Sequence, residues 1–288
     1  MDFYSAALLQ GLGYAAMGLG IYISLRIFNI PDITTDGSFT LGGVITAVLV
    51  TSGLANGLVF AAAVTGGALA GLATGLIHTR LKVNPLLAGI LVMTALYSVN
   101  LSIMGRSNLP LMNVTTIFDS LGMTSDPVVN QWIIFITVTI LICALLTWLL
   151  KTDYGIVMRA TGNNEQMVRA SGMNTGTMKL AGLALANALT AMSGYLLVQY
   201  QGFADINMGI GIVISGLAAV MIGEAMGHLF NTHKILYQVL LVVAGCILFR
   251  LILAFTLSLG LNPNYLKLVT ALIVLFVLMV TRFKTSLR

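Results

Sequence analysis

Asn130 to Leu150 reads NQWIIFITVTILICALLTWLL. A helix needs roughly 20 mostly apolar residues to cross the hydrocarbon core of a bilayer, and this run supplies them. It does not alternate polar and apolar side chains as a membrane barrel strand does, so its backbone must be satisfied within a helix. Similar runs recur on both sides of it. Read outward, they give about nine spans, near 84–105, 57–78, 39–53 and 5–27 toward the N-terminus and near 176–200, 210–226, 235–256 and 264–282 toward the C-terminus. The runs at 39–53 and 210–226 are short, which leaves the count between eight and ten. The expected fold is all-α, a polytopic transmembrane helical bundle forming a single domain over 1–288.

Composition points the same way. Hydrophobic residues make up 58% of the chain and charged ones 8%, against about 25% charged in soluble domains. A water-soluble fold of this length could not hide so much apolar surface, so the solvent must be lipid. No cleavable signal pattern precedes the first run, which is read as a retained helix. Cys143 and Cys246 both sit inside apolar runs. Without histidines nearby they make no metal site, and a disulfide is not expected. No cofactor is read from the sequence.

The net charge of +5 would suggest a nucleic-acid partner in a soluble protein. Here the basic residues fall at span ends, so they report orientation and no nucleic acid is expected. Arg26, Arg80, Lys82, Lys151, Arg159, Arg169, Lys179, Lys234, Arg282, Lys284 and Arg288 share one face if the chain alternates through nine spans. The positive-inside rule makes that face cytoplasmic, with the N-terminus outside and the C-terminus inside. Arg106 and Lys267 fall on the other face, and Arg250 lies within a span. The 106–130 loop then faces outward and is expected to be partly structured.

Gly67, Gly71 and Gly75 form a row of small residues on the third span, and Gly182, Ala186, Thr190 and Gly194 form another on the sixth. Small residues four apart share a helix face and let two backbones approach closely. Packing within the bundle is the favoured reading over a subunit interface.

Two polar interruptions resemble each other. One reads Pro31-Asp32-Ile33-Thr34-Thr35-Asp36-Gly37 and the other Ala204-Asp205-Ile206-Asn207-Met208-Gly209. Asp32-Ile33 matches Asp205-Ile206, and Tyr22 matches Tyr195 at the same spacing. An odd number of spans separates the copies, which would make them inverted internal repeats with broken helices, an arrangement common in transporters. Polar groups beside such breaks line solute paths, because unsatisfied backbone in lipid is costly. The candidates are Asp32, Thr34, Thr35, Asp36, Ser38, Asp205 and Asn207. The plainer reading has Asp32 and Asp36 capping the next helix.

Other polar residues are read as structural first: Asn84 beside Pro85 as a cap, and Asn100, Asn187 and Gln199 as links between helices. Glu224 is expected to snorkel from a span end. His78, His228 and His233 are scattered at span ends in no metal-binding pattern.

The longest basic segment, 151–179, is expected to carry a short helix from Asn164 to Ser171, bounded by Gly162 and Gly172. Such a helix makes a docking knob for a cytosolic partner, or a plain interfacial helix. Tyr154, Gly155, Arg159, Ala160, Gly162, Glu165, Ala170, Gly172, Met173, Asn174 and Lys179 match a pattern in which this segment resembles the coupling region of ABC-importer permeases of the branched-chain amino acid and ribose type. The likeness runs through nearly the whole chain in span order. Asp36-Gly37-Ser38-Phe39 stands where that family has a polar, glycine-containing break. The wording at 36–42 is most similar to permeases for tryptophan or tyrosine, and departs from the Asn-Phe-Ala-His-Gly type usual in branched-chain permeases.

The resemblance implies a permease subunit of the bacterial cytoplasmic (inner) membrane. It implies a second permease copy, a separate ATP-binding-cassette ATPase docked on the 151–179 segment, and an extracellular solute-binding protein. Gly162, Asn164, Glu165, Arg169 and Gly172 become the candidate coupling residues. No Gly-x-x-x-x-Gly-Lys-Ser/Thr phosphate loop occurs in the chain, so ATP hydrolysis would belong to the partner. An ion-coupled transporter using Asp32, Asp36, Asp205 and Glu224 is the second reading. A membrane enzyme is the least favoured, because no catalytic constellation stands at useful spacing.

Overall fold

The computed structural model describes residues 3–122, 124–230, 234–260, 262 and 265–286, with the side chains of 228–230, 278 and 280–286 left aside. Of the residues singled out above, His233 and Arg288 lie outside the described residues, as do the side chains of His228, Arg282 and Lys284.

The first crossing, Phe3–Ile27, has three parts: α1 (Phe3–Gly13), α2 (Ala15–Ile21) and a π-helical turn over Tyr22–Ile27. In that turn Phe28 N–H donates to the Ile23 carbonyl at 3.1 Å, and Ile30 N–H reaches Ser24 at 2.8 Å. Widening the helix in this way ends it, and the chain runs irregularly to α3 (Thr34–Thr51). Then follow α4 (Asn56–Arg80) and α5 (Pro85–Met104). Asn84 caps α5 as expected, its side chain accepting from Leu86 N–H at 2.9 Å with Pro85 in the first turn. A strand β1 (Asn108–Pro110) and a short α6 (Ile117–Ser120) lead to α7 (Pro127–Lys151), which is capped by Asp126 in the same manner.

The second half holds α8 (Asp153–Asn163), α9 (Glu165–Ala170) and α10 (Thr175–Gln201). After them come β2 (Phe203–Asp205), α11 (Ile212–Phe230), α12 (Ile235–Ser258) and α13 (Leu266–Ser286). All nine expected spans thus correspond in order to helices. Six of these are long and apolar enough to cross a membrane: Phe3–Ile27, α4, α5, α7, α10 and α12. Over the described residues α11 and α13 are shorter apolar helices. α3 begins with the polar run Thr34–Ser38, five residues earlier than the 39–53 reading placed it.

Burial sorts the crossings. The most apolar stretch of α10 is 72% buried and that of Phe3–Ile27 78%, against 28% for α5 and 33% for α4. α10 and the first crossing therefore stand at the centre, and α4 and α5 leave much of their surface exposed. The glycine row of α4 faces α10 within the chain. A Cβ at Gly75 would lie 2.9 Å from a Leu180 side-chain carbon, and one at Gly71 would strike the Leu183 carbonyl. The row on α10 meets the first crossing and α3: Gly182 abuts the Phe28 ring and Gly194 the Phe39 carbonyl. Packing here is intramolecular, as the small-residue spacing suggested.

The connections sort onto two faces. On one, β1 and β2 pair antiparallel with Leu109 opposite Ala204, and Asn56 Nδ2 reaches Thr115 O at 3.3 Å. The 106–130 loop is structured in this way. On the other face Arg26 and Glu224 form an ion pair. Glu224 does not simply snorkel, because a cation from the first crossing meets it.

Candidate functional site

The polar break at 31–38 is drawn into the middle of the bundle. Thr34, Thr35 and Ser38 are fully buried, Asp32 is 3% exposed and Asp36 7%. Asp32 Oδ1 accepts from Thr34 N–H at 2.9 Å, and Oδ2 accepts from Asn187 Nδ2 of α10 at 2.7 Å. Asn187 Oδ1 in turn accepts from Ser38 Oγ at 2.7 Å. Thr34 Oγ1 and Thr74 Oγ1 of α4 share a hydrogen bond of 2.6 Å, and Asn100 Nδ2 of α5 donates to the Gly37 carbonyl at 3.3 Å. The Asp36 carboxylate receives two backbone donors from the start of α11, Gly211 N–H at 2.9 Å and Val213 N–H at 2.8 Å. The first turn of α3 is therefore tied to α4, α5, α10 and α11 at once.

This geometry has a chemical consequence. A helix that starts inside a bundle presents unpaired N–H groups that attract anions. In this chain the ends of α3 and α11 are already met by Asp32 and Asp36. The junction ties the start of α11 to the first turn of α3.

Asp205 and Asn207 do not join this cluster. Asp205 ends β2, where Asn108 Nδ2 approaches its carboxylate at 3.3 Å, and Asn207 is exposed. The two breaks nevertheless share a local motif. Asp205 Oδ1 accepts from Asn207 N–H at 2.8 Å, as Asp32 Oδ1 does from Thr34 N–H. The aspartates matched in sequence make the same turn. Beyond it the chains diverge, α3 starting at once and α11 only at Ile212. Thr74 and the backbone of Gly211 and Val213 were not foreseen; a lone threonine in an apolar helix carries no sign of its partner.

The 151–179 segment forms two helices where one was expected. Gly162 lies inside α8 and does not bound the short helix: a Cβ there would collide with the Ile27 carbonyl at the end of the first crossing. The boundary is Asn164, whose Oδ1 accepts from Met167 N–H at 3.0 Å and caps α9. Gly172, with φ of +82°, ends the segment in the left-handed region that favours glycine. Val168 is buried beneath α9, and Glu165 lashes the helix to α10. Its carboxylate accepts from Lys179 Nζ at 2.6 Å, Thr175 Oγ1 at 3.0 Å and Arg169 at 2.6 Å. Arg169 Nε also donates to Thr175 Oγ1 at 2.9 Å.

Partial burial pushes the Glu165 carboxyl up, but the donors from Lys179, Thr175 and Arg169 outweigh it and hold the group at about 2, below its ordinary 4.5. A depressed folded-state value means stabilisation that is complete above 4.5 and lost as pH falls toward 2. Protection of the α9 amides relative to intrinsic exchange is expected to fall several-fold through that window, and in Glu165→Gln to be low already at pH 7. Equal protection of both proteins at pH 7 would show that the ion pairs do not hold α9. The group is partly exposed, so the effect stays local and shrinks with salt.

The described chain matches, over residues 3–279, the family model for the permease component of branched-chain amino acid transport systems. It is 37% identical over 280 residues to the tyrosine transport system permease protein of Clostridioides difficile (strain R20291), covering 97% of this chain and 91% of that one. It is 26% identical over 274 residues to the galactofuranose transporter permease protein YtfT of Escherichia coli (strain K12), covering 92% and 75%. Among solved structures, a metal-chelate-type ABC transporter in an inward-facing conformation shares the fold, with a TM-score of 0.52, 16% identity and coverage of 98% and 85%. With a helical bundle holding six membrane-length apolar helices among the described residues, an interior polar junction and matches along its length, the chain belongs to the branched-chain amino acid transport system permease family, as a multi-pass ABC-transporter permease.

Proposed function

We propose that this chain moves a small organic solute inward across the bacterial cytoplasmic membrane, an amino acid and an aromatic one in preference, by alternating access driven by a separate ATPase. One observation carries the coupling: α9 is pinned to α10 by Glu165 while Met167 and Met173 stand 57% and 40% exposed on a polar, basic face. A rigid knob with exposed methionines suits docking of a cytosolic subunit. Gly162, Asn164, Glu165, Arg169 and Gly172 position that knob, and Met167 and Met173 meet the partner. A solute-binding protein delivers to the opposite face, and a second permease copy completes the pathway. The aromatic preference is supported by the tyrosine permease relative and by the Asp36–Gly42 wording.

The ion-coupled reading gains no support from the acids. Asp32 and Asp36 are engaged by internal donors, Glu224 is paired with Arg26, and Asp205 ends β2 beside Asn108. The test is tyrosine uptake by proteoliposomes holding permease, ATPase and binding protein. Uptake is expected to need ATP, and Met167→Glu is expected to cut it tenfold or more without unfolding the chain, because a charge in an apolar contact is costly. Uptake by the permease alone under an ion gradient would overturn this reading. Labelling of a Met167→Cys variant from outside the cell would overturn its orientation.

A further inference from the structure

Three basic residues break the charge pattern of the chain: Arg106 and Lys267 on the face poor in cations, and Arg250 inside a span. Two of them, Arg250 and Lys267, line one cavity of about 520 Å³ between α1, the start of α11, α12 and α13. Its walls are mainly apolar, with Phe3, Ile214 and Leu253 among them, and no acidic side chain lines it. The Arg250 guanidinium lies 3.6 Å from the centre of the Tyr14 ring, and Tyr14 stacks on Phe39 of α3 at 5.7 Å. Among the described residues, the ion pairs leave out both Arg250 and Lys267. Gly211 also lines the cavity, but its N–H is already taken by Asp36. The attraction for an anion therefore comes from the two side chains and not from the helix end.

A guanidinium within a membrane span is costly and marks a functional site unless it is paired. The ring face of Tyr14 holds this one in place without neutralising it. We propose that the cavity binds an amphiphile by its anionic group, with a carboxylate or phosphate between Arg250 and Lys267 and an apolar body against Phe3, Ile214 and Leu253. The volume suits a small organic molecule, for which pockets span roughly 300–1,000 Å³. Two sources share this chemistry: an amino acid presenting its carboxylate, and an anionic phospholipid presenting its headgroup.

The test uses the purified chain alone in phosphatidylcholine nanodiscs, so it stands apart from the transport reading above. In one arm, saturation-transfer NMR compares L-tyrosine with tyramine, which has the ring but no carboxylate. In the other, native mass spectrometry compares retention of phosphatidylglycerol and phosphatidylcholine. Preference for the molecule with the carboxylate or the anionic headgroup is expected in one arm, and that arm names the source. Lys267→Gln, exposed on α13, is expected to weaken it about tenfold; Arg250→Gln is expected to do so more strongly, and Arg250→Lys to retain most of it. No preference in either arm, or a preference undiminished in Lys267→Gln, overturns the proposal.

Discussion

Gly71→Leu is expected to leave no folded, monodisperse protein. Gly71 sits on α4 against the backbone of α10, where an added Cβ would strike the Leu183 carbonyl and lie 2.7 Å from its carbon and 2.9 Å from Ala184 Cα. Backbone cannot rotate aside as a side chain can. The two helices would have to part along their whole contact, and the contacts at Gly67 and Gly75 would be lost with it. Overpacking in a core costs about 1–3 kcal/mol where side chains can yield. Here the neighbours cannot yield, and a total stability of roughly 5–15 kcal/mol leaves little to absorb the loss. Gly71→Ala already places the offending Cβ and should lower the melting temperature clearly. Gly57→Ala on the same helix meets nothing within 4 Å and should behave as the parent. Size-exclusion profiles and thermal melts in detergent check all three. A Gly71→Leu protein that elutes and melts like the parent would refute the α4–α10 contact.

Asp36→Asn is expected to abolish most uptake while leaving the chain folded. Both carboxylate oxygens accept backbone N–H groups, from Gly211 and Val213. An asparagine offers one acceptor and turns an NH2 group toward the other donor. One buried N–H is then unsatisfied, at about 1–3 kcal/mol, and the charge-assisted strength of the remaining bond is lost. The start of α11 should loosen relative to α3, and uptake should fall at least tenfold. Hydrogen exchange at Gly211 and Val213 separates two roles. Faster exchange together with lost uptake means that Asp36 acts by holding the helices in register. Lost uptake with unchanged exchange would mean that it acts on the solute, and unchanged uptake would remove it from the pathway.

Much of the fold is legible along the chain because its signals are local. The Asn130–Leu150 run, the Asn84-Pro85 start and the left-handed glycine at Gly172 each depend on a few neighbouring residues. Gly162 was misplaced because a glycine beside polar residues looks like a helix end. Its actual reason, the Ile27 carbonyl pressed against it, lies far away in sequence. Glu224 looked like a snorkelling acid for the same reason, since Arg26 belongs to the first crossing. Asp205 and Asn207 share the Asp32 turn but not its burial, because a turn is set by adjacent residues and burial by the helices around it.

What the sequence alone determined is the solvent of this protein and the order of its helices. These follow from sums of apolarity over short stretches, and a uniform lipid reads such sums directly. Only the tertiary structure decided that Asp36 closes the start of α11, that Asn187 joins α10 to α3, and that Arg250 and Lys267 meet at one cavity. The physical reason lies in the membrane itself. Lipid and protein interior are equally apolar, so composition does not say which side of a helix turns inward. That choice is made by close backbone contact at glycines such as Gly71 and by the need to satisfy each buried polar group, and both require the partner helix to be in place.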